Sequence, residues 1–433
     1  MSQKRRDFIR SLGGFAGATF AGTWLNPLKA QSSLDRLEDF KHASPELAAS
    51  DEDFWFEIRQ AYTSSNSLIN LNSGGVSPHP KLVQEKVYTY SQFANEAPAY
   101  YMWRTMGRLR THVRRQLAEL GGCDVGEVAI MRNATEALET VINGLNLKKG
   151  DEILTTDQDY PSMLNTLDML ERRRGVKIAK ISLPTPAEDA SEIVQLFKQA
   201  INKKTKAILF CHMINLSGQI LPAQQICSMA RDHGVQTIVD GAHSFCQLAF
   251  KISDLGCDYF GTSLHKWLCA PFGTGMLYVK KDRIADLWPM YGYPEGEKDK
   301  ITKFEHLGTR PFPIELAISD AIAFHNGIGT ARKSARLRYL KEYWVNQVKD
   351  VAGFSLNTSM KPESSCGIAN FSLANWGAGD LSRELLLTYG IYVTATNHKD
   401  VSGIRISPNV FTSLKDLDHL ASSIKLLAQE SRP

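Results

Sequence analysis

Two periodicities share the middle of this chain. Short strand-like runs fall at residues 127–131, 151–155, 177–182, 207–212, 235–239, 257–261 and 276–279. Helical patterns sit between several of them, at 191–201 and 223–233, and another opens at Asn133-Ala134-Thr135-Glu136-Ala137-Leu138. Strands alternating with helices predict βαβ units, a mainly parallel sheet and right-handed crossovers. In such sheets ligands collect outside the carboxyl ends of the strands.

The flanks read differently. Residues 32–63 are charged and helical in pattern, with apolar positions at Leu37, Phe40, Phe54 and Ile58. A short strand at 68–71 leads into the loop Asn72-Ser73-Gly74-Gly75-Val76-Ser77, then a helix at 81–95. The stretch 98–103 is aromatic (Tyr100, Tyr101, Trp103) and precedes a basic helix at 104–120; it reads equally as pocket, packing or dimer surface. Beyond the sheet, helices at 314–326 and 331–350 lead to a strand at 366–373, a helix at 381–389 and a strand at 391–394, an α+β pattern. The expected organisation is a targeting segment (1–30), an N-terminal helical segment (31–68), a large domain (69–325) and a smaller C-terminal domain (326–433).

Composition narrows the classes. The 433 residues are 43% hydrophobic, enough for a sizeable core, and a net charge of +4 gives no argument for nucleic acid as partner. Seven cysteines without a CxxC pair or regular spacing make neither a disulfide framework nor a metal site. Lys4-Arg5-Arg6-Asp7-Phe8-Ile9-Arg10 matches a twin-arginine export signal, the alternative being a basic tail before a short helix. The Gly/Ala-rich stretch 12–25 is too short for a membrane span, and cleavage is expected after Ala30. The expectation is export to the periplasm through the twin-arginine machinery, already folded. Unpaired cysteines agree with folding under reducing conditions.

Candidate chemistry concentrates in residues 235–280. A buried strand ends on Asp240, followed by Gly241, Ala242 and His243. A second apolar run leads into Thr262-Ser263-Leu264-His265-Lys266-Trp267, then a Gly-rich turn and a third strand. Singly, such a lysine reads as a surface residue and such an aspartate as a cap. Together they fit a lysine whose pKa is lowered by apolar surroundings, able to form a Schiff base, and an acid that keeps a pyridine nitrogen protonated.

This whole string resembles the cofactor core of the class V aminotransferases, fold-type I pyridoxal phosphate (PLP) enzymes that include cysteine desulfurases and isopenicillin N epimerase. The matching elements are Asp-Gly-Ala-His, the Asp-Tyr-Phe strand, Ser-x-His-Lys and Gly-x-Gly-x-Leu-Tyr-Val. The resemblance implies an α/β fold: a large domain with a mainly parallel seven-stranded sheet and a smaller α+β C-terminal domain. It makes Lys266 the Schiff-base lysine and proton carrier at Cα, and Asp240 the partner of the pyridine nitrogen. Ala134, Thr135, Ser263 and His265 would receive the phosphate. Tyr160 would stack on the ring where desulfurases carry a histidine, and His243 would face the phenolic oxygen where they carry a glutamine. Asn215 would bond the ring hydroxyl or the substrate carboxylate, Asn72 would line the substrate mouth, and Arg405 would grip the α-carboxylate. Thr309 would bond the phosphate of a neighbouring subunit, which implies a homodimer with shared sites.

Two departures point within the family. Tyr160 replaces the stacking histidine, and the loop 395–401 lacks the mobile cysteine of the desulfurases. The first points towards the epimerase-like branch, and the second argues against sulfur transfer by a persulfide. The expected reaction is epimerisation or transamination at Cα of an amino acid. A C–S or C–Se lyase is the alternative, and a PLP-fold binding protein without catalysis belongs to a different class.

Overall fold

The computed structural model describes residues 44–65 and 67–430. The expected export signal and the start of the N-terminal helical segment lie outside the described residues. Seven strands form the main sheet: β1 (Val128–Met131), β2 (Glu152–Thr156), β3 (Lys177–Ile181), β4 (Thr205–Cys211), β5 (Gln236–Asp240), β6 (Tyr259–Ser263) and β7 (Gly275–Val279). Their spatial order is β1-β7-β6-β5-β4-β2-β3. The pairings of β2, β3, β4, β5 and β6 are parallel, and β7 runs antiparallel to both of its neighbours. The mainly parallel seven-stranded sheet read from the sequence is therefore present.

The strands are near-continuous apolar runs because both faces are covered. All four residues of β1 and all five of β6 are buried. Ile130, Phe210, Val239 and Phe260 pack into one layer, and Ala129, Leu209, Ile238 and Leu277 into the other. Each large apolar side chain so buried contributes about 1.5–3 kcal/mol.

Crossover helices α1 (Ala134–Gly144), α2 (Pro161–Arg174), α3 (Ala190–Ala200) and α4 (Ala223–Asp232) connect the strands. α2 fills a stretch that the sequence reading left without an element. Its buried stripe is narrow (Met163, Thr166, Leu167, Leu170), and three consecutive arginines close it. The expected basic helix at 104–120 is present as the α-helix Gly107–Gly121, and a π-helical segment, Tyr101–Met106, leads into it.

A long helix, α5 (Thr330–Val348), leads to a second sheet of β8 (Phe354–Leu356), β9 (Ala369–Leu373), β10 (Thr394–Asn397) and β11 (Ser402–Ile406). These four are antiparallel in the order β10-β11-β9-β8. Helices α6 (Ala378–Leu387) and α7 (Leu414–Gln429) pack beside them around a separate core that includes Trp344, Phe371, Ile404 and Leu417. Residues Ile69–Asn70 pair in parallel with Ile391–Tyr392, and Asn72 bridges to Ser407. The chain thus joins its N-terminal loop to the second sheet, and that junction carries one wall of the site. No described helix is long and apolar enough to cross a membrane.

Candidate active site

Parallel registry sets the floor of the site. Cys211 and Asp240 lie side by side at the carboxyl ends of β4 and β5, and Gly261 of β6 is the neighbour of Asp240 on its other side. A cavity of about 630 Å³ opens beyond them. Gly241 follows Asp240, and a Cβ there would stand 1.8 Å from the Phe260 ring, so only glycine lets the chain turn at this point.

Asp240 is 5% exposed, and its Oδ1 accepts the Ala242 N–H at 2.8 Å. Burial pushes its carboxyl up to about 6, against the Ala242 hydrogen bond and the positive charge of Lys266, with Asp159 adding to the rise. Lys266 is pushed down to about 8, first by desolvation in the cavity and also by Arg405, while Asp240 opposes the shift. An amine in this range is half free at about pH 8, far below an ordinary lysine, and the free form serves as nucleophile or base. Its Nζ lies 3.3 Å from His243 Nε2 and 5.6 Å from the centre of the Tyr160 ring. His243 is held well below its ordinary value by burial and by the charges of Lys266 and Arg405.

One end of the cavity suits an anion. Asn133 caps α1 through the Glu136 N–H at 2.8 Å, and the first turn of that helix lines the cavity with Ala134 and Thr135. The Ala134 N–H donates to Ser263 Oγ at 2.9 Å. A Cβ at Gly275 would stand 2.6 Å from the Asn133 backbone, so that glycine lets β7 lie against the helix entrance. His265 donates from Nδ1 to the Thr274 carbonyl at 3.1 Å, which leaves Nε2 as the other ring nitrogen at the cavity wall. Burial lowers its pKa.

The opposite wall comes from the second sheet. Arg405 on β11 is 6% exposed and donates to the Asn215 carbonyl (3.1 Å), Asn72 Oδ1 (2.8 Å) and Thr394 Oγ1 (3.4 Å). All three acceptors are neutral. Its Nε, and Oδ1 of Asn215, are buried without a partner. Burial pushes the guanidinium down to about 10, still protonated at neutral pH. A buried cation facing only neutral groups is costly, and an incoming carboxylate compensates it.

The structure gathers Ala134, Thr135, Tyr160, Asn215, Asp240, His243, Ser263, His265, Lys266 and Arg405 around this one cavity. Asn72 acts at one remove, through Arg405. Thr309 is exposed and stands outside the cavity of its own chain, in a loop anchored by the buried ion pair of Arg310 with Glu315 at 2.6 Å. Tyr100 and Trp103 are largely exposed, Tyr101 packs on Phe93 at 4.3 Å, and none of the three lines the cavity. Sequence reasoning missed Asp159, which lines the cavity next to Asp240. It is 3% exposed and accepts from Thr155, both donors of Thr156 and the Cys211 N–H. The signal for it was the second acid of Asp157-Gln158-Asp159, at the carboxyl end of β2. Trp267, given no role from the sequence, reaches His243 through its indole Nε1.

These residues fit PLP. The entrance of α1 with Thr135, Ser263 and His265 would suit its phosphate, Asp240 its ring nitrogen and the orphaned Asn215 Oδ1 its ring hydroxyl, and the Lys266 amine on the same cavity would take its aldehyde. Sheet order, strand-end acid and lysine together define a fold-type I α/β protein. The chain belongs to the Aminotransferase class-V family, which it matches over residues 69–420. It is 30% identical over 393 residues to the isopenicillin N epimerase of Streptomyces clavuligerus, covering 87% of this chain and 99% of that one. The isopenicillin N epimerase of Amycolatopsis lactamdurans is 28% identical over 394 residues, with the same coverage. Among solved structures, the apo cysteine desulfurase of Thermococcus onnurineus NA1 superposes with a TM-score of 0.77 at 20% identity, covering 88% of this chain and 98% of that one.

Proposed function

We propose that this protein is a PLP enzyme that removes and returns the Cα proton of an amino acid, with epimerisation as its reaction. The observation that carries the reading is Arg405, a buried guanidinium without a counter-charge, across one cavity from the Lys266 amine. A free α-carboxylate supplies the missing charge and is held in a bidentate fork. When bound, PLP supplies an electron sink that acidifies the Cα–H. Lys266 would carry the cofactor and, once released by substrate, take the proton from Cα. Asp240 would hold a proton on the ring nitrogen, His243 and Asn215 would serve the ring oxygen, and Tyr160 would stack on the ring.

Epimerisation is favoured over desulfuration by two features. The loop at 395–401 offers no cysteine, and Lys399 ties it to Asp157 and Ser182 at 2.8 Å each. Two relatives named isopenicillin N epimerase are 30% and 28% identical over 99% of their length, whereas two probable cysteine desulfurases matched over 95–96% of theirs are 25% and 26% identical. Transamination is the finer alternative and needs a keto-acid acceptor. Export through the twin-arginine route is part of the proposal, supported by Arg5-Arg6 and by seven free cysteines. So is a homodimer, supported by the exposure of Thr309.

The test is an absorption spectrum followed by an exchange assay. The purified protein is expected to carry a yellow band that borohydride bleaches and that Lys266→Ala lacks. Amino acids are then screened in deuterated water. Deuterium entering Cα with loss of optical rotation supports epimerisation. Release of sulfide, pyruvate or ammonia would replace it with a lyase.

A further inference from the structure

Trp267 follows Lys266 in the chain, and its indole returns to the same site through a histidine. Indole Nε1 lies 3.4 Å from Nδ1 of His243, whose Nε2 lies 3.3 Å from Lys266 Nζ. An indole N–H only donates. Nδ1 of His243 is therefore the acceptor, and the neutral ring carries its proton on Nε2. That N–H faces the lysine, so the amine receives the bond through a lone pair, which only the uncharged amine has.

Each member of the chain is fixed from behind. Trp267 is fully buried, and its carbonyl accepts from Lys333 Nζ. His243 is 4% exposed, and its carbonyl accepts from Gln247 Nε2 at 2.6 Å. A Cβ at Gly74 would stand 3.4 Å from His243 Cε1, so the N-terminal loop closes over the ring. Burial first, then the charge of Arg405 and that of Lys266 whenever it is protonated, hold the imidazole neutral.

We propose that Trp267 is a positioning residue: it fixes the tautomer of His243 and through it holds Lys266 as the free amine. This deepens the reading of Lys266 as the cofactor-bearing lysine and rests on it. Without the indole N–H, His243 can move its proton to Nδ1 and turn a lone pair towards the lysine. That arrangement favours the ammonium form. The other groups acting on Lys266 are Asp240 on β5 and Cys211 on β4, which favour the charge, and Arg405 on β11, which opposes it; Lys266 in turn depresses His265. Trp267→Phe leaves all of them in place and keeps an aromatic ring.

Two measurements on the full chain stripped of cofactor test this. Nitrogen-15 NMR of the histidine rings, with His243→Gln assigning the signal, reads the tautomer directly. The expected parent has the proton on Nε2, and Trp267→Phe moves some or all of it to Nδ1. The second measurement is the rate of PLP uptake against pH, followed by absorbance. Its midpoint is expected to rise by about one pH unit in Trp267→Phe. In a His243→Gln background the same tryptophan change is expected to shift nothing, because glutamine has no tautomer to switch. A shift that persists there would assign Trp267 to packing and overturn the proposal. A parent protonated on Nδ1 would overturn it as well, and this spectrum decides even where Trp267→Phe fails to fold. A parent that takes up no PLP at any pH would instead defeat the cofactor reading, while the spectrum still decides the tautomer.

Discussion

The two walls of the cavity are built by opposite means. One is local: Asp240, His243, Ser263, His265, Lys266 and Trp267 lie within a short stretch of chain, on the ends of two adjacent parallel strands and the turns that follow them. Their backbone is set by sheet register, and their electrostatics by burial. The other wall is assembled from distance. Arg405 bonds Asn215 from 190 residues away and Asn72 from 333 residues away. The loop after β10 is then tied across the mouth by one exposed lysine. On the proposed function, the local wall would hold the groups that move protons and the distant wall those that recognise a carboxylate. Reaction type and substrate choice could then change separately, because the two sets sit on different sheets.

Substitutions on the local wall are expected to act on turnover. Lys266→Ala should lower deuterium exchange at Cα by about 10⁴-fold, the upper range for losing a positioned proton carrier. Asp240→Asn keeps the Oδ1 acceptor for Ala242 but loses the charge facing the ring nitrogen. A loss of roughly 10²-fold in kcat is expected, as for removing one preorganised electrostatic partner. If both changes acted on KM alone, the assignment of proton chemistry to this wall would fail.

On the distant wall, Arg405→Lys retains the charge but loses the fork. It is expected to cost about 2 kcal/mol, roughly 30-fold in kcat/KM, mostly through KM. Decarboxylated amines, compared with the parent amino acids in steady-state kinetics, should show no penalty from this change.

The pH dependence sharpens the contrast. A free amine accumulates as pH rises through about 8, so PLP uptake by the stripped protein should rise about fivefold from pH 7 to pH 8 and level off above pH 9. Arg405 keeps its charge over that range, so substrate KM should not follow the same curve.

The smallest effect is expected from Lys399→Ala. Its pair with Asp157 is solvent-exposed on the lysine side, so kcat/KM should change by less than about threefold, and less still at high salt. A large loss would mean that the loop tether is part of the site.

Much of the local wall was legible beforehand. A strand ending on Asp240, then Ser263-Leu264-His265-Lys266, is contiguous text, and each residue's place follows from strand ends and turns. The helix α2 was not legible, because its buried stripe is only four residues wide and its last turn is all arginine. Asp159 was passed over because an acid beside a strand end reads as a cap. Its role as a neighbour of Asp240 depends on β2 and β5 flanking β4, and strand order is not written in either segment. The expected reach of Asn72 to substrate becomes a hydrogen bond to Arg405, since the loop bearing it pairs with the second sheet.

The sequence alone determined the layer architecture, the lysine and its acid, because alternation, strand length and apolar runs are properties of neighbouring residues. Tertiary structure alone decided that Arg405 faces the cavity without a counter-charge, that Asp159 raises the proton affinity of Asp240, and that Trp267 reaches His243. These depend on which distant groups share one low-dielectric space. Burial and charge pairing are set there by the whole fold, and no single stretch of chain contains them.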